Sequence, residues 1–412
     1  TTKKEEPSES VKDEGPISIN DADEAVINKE ILLNQLRETK NATLYIDNFS
    51  YNEEGDYTVY TLKGLISDKD INRRYNDFFT LREILAKRWP GIYIPGIPPK
   101  KLFGKNDRTT INLRNRTLNK FLGKISNIVH FNESEELKIF LNPNLADTEV
   151  ARTLSNLQNY QNQNILNNYE KYFSEYMQSQ NEFNDNIYQQ FCTYLESWLK
   201  LIRTYKDKMY TFAEEKACYT HNTKDVLDSL ENYEKKTLIE YVNGNTEFLI
   251  FFNLLHSKLT EKKIFYRRDM INTFAIFYEW MEEKELDLTA MLNCLSSYSH
   301  LKKKYQKINN DIIAKQNKKS DLEQGKKSIF EKVLGKSSAD LMLKNASELN
   351  ELLGEAQILE KICTFIEKKF SVEIYPFVDD LKASFYDMIQ KFNEAQKNNA
   401  EVNKELWEQV KI

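Results

Sequence analysis

The 412-residue sequence predicts a small α+β domain followed by an elongated, wholly α-helical region. Three observations carry that reading. Apolar and polar side chains alternate at Leu44 and Ile46 and again at Tyr57, Val59 and Thr61, on either side of Glu53-Glu-Gly-Asp. That is the period of paired strands around a turn. Seven of the eight prolines precede residue 144 and the eighth is Pro376, so Asn144 to Tyr375 runs without one. Sheets of that length need turn breakers, whereas helices do not. Finally, Leu349, Leu352, Ala356, Leu359, Cys363, Ile366, Phe370, Ile374, Phe377, Leu381, Phe385, Met388, Phe392 and Ala395 step by three or four, and Val402, Leu406 and Val410 extend the series. Such a stripe stays on one helix face for about 60 residues, or about 90 Å.

The composition narrows the class of function. Hydrophobic residues make up 40% of the chain and charged residues 29%, with a mean hydropathy of −0.65. That balance suits long solvated helices better than one large globule. A net charge of −5 argues against bulk nucleic-acid binding. The charge is uneven, however. Residues 1–40 carry net −4, residues 41–142 carry 16 basic and 12 acidic side chains for net +4, and the remainder carries net −5. An anionic ligand is therefore expected in the basic segment. Cys192, Cys218, Cys294 and Cys363 share no paired spacing and read as reduced thiols in the cytosol. Apolar runs such as Phe248 to Phe252 are far too short to span a bilayer. The chain begins at Thr1, which fits a processed or truncated N-terminus with a targeting segment left open.

In chain order, residues 1–42 read as an acidic, mostly disordered tail with one amphipathic patch at Val26, Ile27, Ile31, Leu32 and Leu36. Residues 43–142 form the α+β domain. Its two strands are followed by a third at Ile71 to Tyr75, and Asp77 caps a helix through Phe78, Leu81, Ile84 and Leu85 to Trp89-Pro90. An extended, Pro-rich stretch follows from Gly91 to Gly104, and helical spacing returns at Ile111, Leu118, Leu122 and Ile125. Residues 143–166 form a linker that can fold as an amphipathic helix through Val150, Leu154 and Leu157. Its apolar face is thin, and it reads as a connector rather than an insertion device. Residues 167–412 form the bundle, with a seam through Phe183, Phe191, Leu195, Ile202, Tyr205 and Phe212, a third from about Thr246 to Lys327, and a kink at Pro376. Stripes this wide call for a second chain, so the bundle is expected to dimerise, with a spectrin-like monomer as the alternative.

The informative cluster is Arg73-Arg74-Tyr75-Asn76-Asp77-Phe78, then Pro98-Pro99-Lys100-Lys101, then Arg114-x-x-x-Leu118-x-x-Phe121-Leu122. A phosphorylated inositol ring needs guanidinium forks for its phosphates, an aromatic face against the ring, and a further cation for the diester phosphate. All three types occur here in order. Residues 43–142 thus resemble the phox-homology (PX) domain, which binds phosphatidylinositol 3-phosphate. The resemblance implies that Arg74 grips the 3-phosphate, Tyr75 packs under the ring, Lys100 meets the 1-phosphate and Arg114 bonds the 4- and 5-hydroxyls. Arg73, Lys101 and Arg116 are expected as supporting cations, although Asn115 stands where relatives often carry a second arginine. Ile92, Tyr93, Ile94 and Ile97 divide between core and bilayer contact, and Leu102 and Phe103 are the expected membrane-insertion loop.

A PX domain followed by three long helices resembles a sorting nexin with a BAR domain, so the implied fold is a three-stranded α+β PX domain joined to an elongated three-helix BAR-like coiled-coil bundle. Between Lys302 and Lys336 stand 11 lysines against four acidic residues. Lys302, Lys303, Lys304, Lys315, Lys318, Lys319, Lys326 and Lys327 are the expected membrane-facing cluster, a solvated charge run being the alternative. The resemblance implies a peripheral protein of endosomal membranes, working as a homo- or heterodimer on anionic, curved bilayers with trafficking-complex partners. The competing class is a helical scaffold subunit whose PX module docks proteins. Gly335-Lys336-Ser337 is only half a Walker A motif, the four histidines share no metal spacing, and hydrolase, metalloprotease and dinucleotide patterns do not occur. Neither enzymatic activity nor a cofactor is expected.

Overall fold

The computed structural model describes residues 44–52, 56–64, 70–100, 108–157, 161–233, 270–324 and 338–408. The expected acidic tail, the supporting cation Lys101, the insertion loop at Leu102 and Phe103, and Lys326 and Lys327 lie outside the described residues.

Strands β1 (Tyr45–Asn52), β2 (Tyr57–Lys63) and β3 (Ile71–Arg74) form an antiparallel sheet in that order. Thr58, Tyr60 and Leu62 face inward on the central strand, so the period of two holds but the buried face is the one opposite Tyr57, Val59 and Thr61, whose alternation marked the strand. A register shift between Ile46 and Asn48 bulges β1. Asp56, before β2, adopts φ 49°, a left-handed conformation that a short polar side chain tolerates.

Helix α1 (Tyr75–Arg88) starts where β3 ends. Asp77 Oδ2 accepts the backbone N–H of Arg74 at 2.7 Å, satisfying a donor at the helix entry. Phe78, Leu81, Ile84 and Leu85 face the core, and Trp89-Pro90 ends the helix because the residue before proline disfavours the α region. Helices α2 (Arg108–Ser126), α3 (Val129–Asn132) and α4 (Glu135–Phe140) complete this layer. Ser134 caps α4 by accepting from Leu137 N at 3.1 Å.

Helices α5 (Val150–Ser155) and α6 (Asn162–Phe173) follow, succeeded by a short 3-10 turn. Val150 and Leu154 are fully buried, and α5 packs on α1 and α4. The linker's apolar face is therefore already occupied by protein. Three long helices then run as α7 (Asp185–Tyr233), α8 (Thr273–Glu323) and α9 (Ser338–Glu408), with α8 packed against both others. Helix α9 continues through Pro376. Ala356, Leu359, Cys363, Ile366, Phe370, Ile374, Leu381, Met388 and Ala395 are buried along it. On α7 the seam holds through Phe191, Leu195 and Ile202, after which Tyr205 and Phe212 are exposed.

The two regions share one apolar core. Trp89 lies among His130, Phe131, Tyr169, Tyr172 and Phe173, so α6 clamps the end of α1. Burial, reinforced by the Lys369 charge, holds the His130 imidazole well below its ordinary pKa and hence neutral. Ile92, Ile94 and Ile97 are buried in this seam, and Tyr93 donates to Asp287 Oδ1 at 2.8 Å while its ring meets Phe377. That apolar stretch belongs to the junction with the bundle. Gly91 (φ 76°) and Gly96 sit where chains touch most closely. A Cβ on Gly91 would fall 2.7 Å from Ile366 Cδ1, and one on Gly96 would fall 2.7 Å from the Leu286 carbonyl oxygen.

Candidate functional site

The cationic cup is built where β3 turns into α1. Tyr75, the first helical residue, donates its hydroxyl to the Pro98 carbonyl, which ties the Pro-rich stretch to the helix entry. Lys100, two residues on, donates to Asn76 Oδ1 at 3.0 Å and holds its ammonium 3.9 Å from the Phe79 ring centroid. Arg114 arrives from α2, only 6% exposed, with its guanidinium carbon 4.1 Å from the Tyr75 ring centroid. Its charge also lies beside the Tyr60 hydroxyl. Burial pushes the Tyr75 phenol up to about 12, so it remains a neutral donor. Tyr75, Lys100 and Arg114, separated by up to 39 positions in sequence, thus gather around the first turn of α1.

Arg74 approaches from the end of β3. Its Nε donates to the Asp147 carbonyl at 3.0 Å, and its guanidinium carbon lies 4.9 Å from the Tyr57 ring centroid. Among the described residues no hydrogen bond engages its terminal nitrogens. Lys100 and Arg114 thus rest on aromatic faces and Arg74 on an aromatic face and a carbonyl, contacts that orient a cation without themselves neutralising it.

Two expected supporting cations have other occupations. Arg73 is 1% exposed, with Nε donating to Phe140 O at 2.6 Å and the terminal nitrogens donating to Asn142 O at 2.7 Å, Leu145 O at 3.4 Å and Asn72 O at 2.5 Å. Strand alternation explains the split, since neighbouring side chains on β3 point to opposite faces. Arg73 is therefore a buried brace, and burial lowers its pKa to about 10. Arg116 pairs with Glu279 at 2.5 Å and Glu282 at 3.3 Å on α8. It heads a ladder in which Lys120 meets Glu283 and Lys124 meets Asp287 at 3.0 Å. Spacings of two, six and ten residues from Arg114 carry these side chains round α2 to the bundle.

The lysines of α8 divide as well. Lys302 pairs with Asp185 at 3.0 Å and Glu367 at 3.6 Å, Lys304 with Glu355 at 2.7 Å, and Lys315 with Glu348. These three bridge to neighbouring elements rather than forming a bare cationic surface. Lys303, Lys318 and Lys319 are exposed.

Asp77, close to the cup but buried, has its carboxyl pushed up to about 6 by burial, against the opposing pull of the Arg74 backbone N–H and the two arginine charges. Sequence reasoning missed Tyr57, Phe79 and Asp147 as neighbours of the site. Asn76 and Phe79 are legible in retrospect, one residue and four residues after Tyr75 on the same helix. Asp147, 73 positions from Arg74, gives no local signal.

Comparison with known proteins shows what the chain is similar to. The PX domain family matches residues 66–144. The chain is 35% identical to human sorting nexin-8 over 79 residues, 19% of this chain and 17% of that protein. It is 33% identical to sorting nexin-41 of Eremothecium gossypii over 109 residues, 24% and 18% of the two chains. It is 34% identical to vacuolar protein sorting-associated protein vps5 of Schizosaccharomyces pombe over 86 residues, 21% and 15%. The aligned part spans less than a fifth of the length of these curated relatives. In fold, the chain is similar to the SNX-BAR protein Mvp1, solved by cryo-EM as a tetramer, with TM-score 0.58 and 17% identity over 90% of this chain and 100% of that one. The amino-terminal module is a PX domain. In fold the described residues share the arrangement of that SNX-BAR protein, a PX domain followed by a BAR-type helical domain. No helix among the described residues is long and apolar enough to cross a membrane.

Proposed function

We propose that this chain is a peripheral membrane protein of endosomal sorting that recognises phosphatidylinositol 3-phosphate through Arg74, Tyr75, Lys100 and Arg114. The observation that carries this reading is the packing of the Arg114 guanidinium on the Tyr75 ring beside Lys100, at the mouth of a helix whose entry Arg74 flanks. The N-terminal end of α1 adds the positive end of its dipole to those charges. In the assignment that the PX likeness supplies, Arg74 takes the 3-phosphate, Tyr75 the ring, Lys100 the 1-phosphate and Arg114 the 4- and 5-hydroxyls.

Association through the helical domain supplies avidity. Leu201, Tyr205 and Tyr210 on α7 and Tyr375, Phe385 and Tyr386 on α9 are exposed, an apolar surface a second BAR-type chain would cover. Two cups on one dimer would turn weak headgroup contacts into firm attachment to anionic, curved membrane. Arg74→Ala is expected to weaken sedimentation with vesicles containing the 3-phosphorylated lipid by at least about tenfold, at unchanged oligomer mass. Wild-type sedimentation by that variant would overturn the cup assignment. A second reading, a helical scaffold whose PX module docks proteins, is favoured by the ion pairing of Lys302, Lys304 and Lys315. Lipid-independent flotation together with a stable protein partner would select it.

A further inference from the structure

Arg73 and Arg74 are held by one and the same stretch of chain. Among the described residues, every hydrogen-bond acceptor their guanidinium groups use outside β3 lies between Phe140 and Asp147. That stretch is where the chain leaves the α+β domain, just before α5 carries it toward the bundle. Arg73 takes the carbonyls of Phe140, Asn142 and Leu145, and Arg74 takes that of Asp147. The last contact is the one that bears on a ligand. It fixes the Nε–H of Arg74 on a neutral oxygen and leaves the terminal nitrogens for an incoming anion.

The same residue also brings a charge. Burial, and after it the Asp147 carboxylate, raises the pKa of the Tyr57 phenol, and the Tyr57 ring is the surface on which the Arg74 guanidinium lies. Asn52 Nδ2 donates to the Tyr57 hydroxyl at 3.3 Å and holds the phenol in place. Main chain and side chain of Asp147 thus act on Arg74 in opposite senses. The carbonyl aims the guanidinium, and the carboxylate offsets its field where a phosphate dianion would sit.

Building on the assignment of Arg74 to the 3-phosphate, we infer that Asp147 is a positioning residue that sets the strength of headgroup binding. Its backbone orients Arg74 and its carboxylate holds affinity for the phosphate below what the four cup residues alone would give. The segment leaving the PX domain is thereby part of the headgroup site.

The test uses the full chain as wild type, Asp147→Asn, Asp147→Glu, Arg74→Ala and the double variant Asp147→Asn with Arg74→Ala. Binding is read by sedimentation with phosphatidylcholine vesicles, with and without 3-phosphorylated phosphoinositide, at two salt concentrations. Thermal melts run alongside. Asp147→Asn is expected to bind about threefold to tenfold more tightly, with a smaller gain at high salt and an unchanged melting midpoint. Asp147→Glu is expected to restore wild-type affinity, which a purely structural role would not require. The gain is expected to vanish in the Arg74→Ala background. Equal or weaker binding by Asp147→Asn, with Arg74→Ala still inactive, would overturn this inference and leave the cup intact. An equal gain in the Arg74→Ala background would also overturn it, since the carboxylate would then act without Arg74. Wild-type binding by Arg74→Ala would remove the cup assignment itself, and the inference with it.

Discussion

The cations of the PX domain and those of α8 look alike in sequence and differ in what they touch. Tyr75, Tyr57, Phe79 and backbone carbonyls receive Arg114, Arg74 and Lys100 in the cup. Carboxylates receive Lys302, Lys304 and Lys315 on α8. Aromatic faces and carbonyls orient a cation while leaving its net charge available to a ligand, whereas a carboxylate neutralises it. The count of basic residues in a segment is therefore a poor guide to its potential. The identity of the partners decides.

The largest effect that could break this comparison lies at Arg73, whose buried guanidinium rests wholly on neutral oxygens. Replacing it with alanine strands several buried carbonyls and leaves a cavity, for an expected cost of about 3 kcal/mol in denaturant unfolding. A stability near wild type would mean that the carbonyl brace contributes little. Next in size is the contrast within α8. Lys303 and Lys319 are exposed and have no ion pair among the described residues, so Lys303→Ala with Lys319→Ala is expected to weaken binding to anionic vesicles by about 1 kcal/mol per lysine. Lys302→Ala with Lys304→Ala is expected to weaken it less, because those charges are already matched by Asp185, Glu367 and Glu355. Equal losses in the two double variants would erase the distinction. The smallest effect belongs to the junction, where Lys120 and Glu283 are both partly exposed. Lys120→Ala is expected to cost less than about 1 kcal/mol, more at low salt than at high, as thermal melts would register.

Much of the fold could be read along the chain because its signals are local. The break at Trp89-Pro90 and the stripe from Ala356 to Ala395 each reflect one element's own signal, and the strand at Tyr57 shows its period of two, although its inward face is the opposite one, Thr58, Tyr60 and Leu62. The gathering of Tyr75, Lys100 and Arg114 was legible through the resemblance, since three short motifs in fixed order identify the domain that positions them. What escaped depends on contacts between distant segments. Ile92, Ile94 and Ile97 are apolar for the sake of a bundle that begins far downstream. Arg116 turns to Glu279, and Lys302 to Asp185, 117 positions away. A run of lysines does not carry the sequence of the helix lying beside it. The outward turn of Tyr205 and Phe212 escaped for a related reason, since spacing fixes a helix face but not how far a neighbour covers it.

The glycines at 91 and 96 settle something about motion. At both, even a methyl group would collide with α8 or α9, and at Gly96 the obstacle is the Leu286 main chain itself. Pivoting the first domain on the helices would have to part the Gly96 backbone from that of Leu286 and lift Gly91 off the Ile366 side chain. Whatever orientation the first domain takes on a surface, the long helices packed against it inherit the same compass bearing.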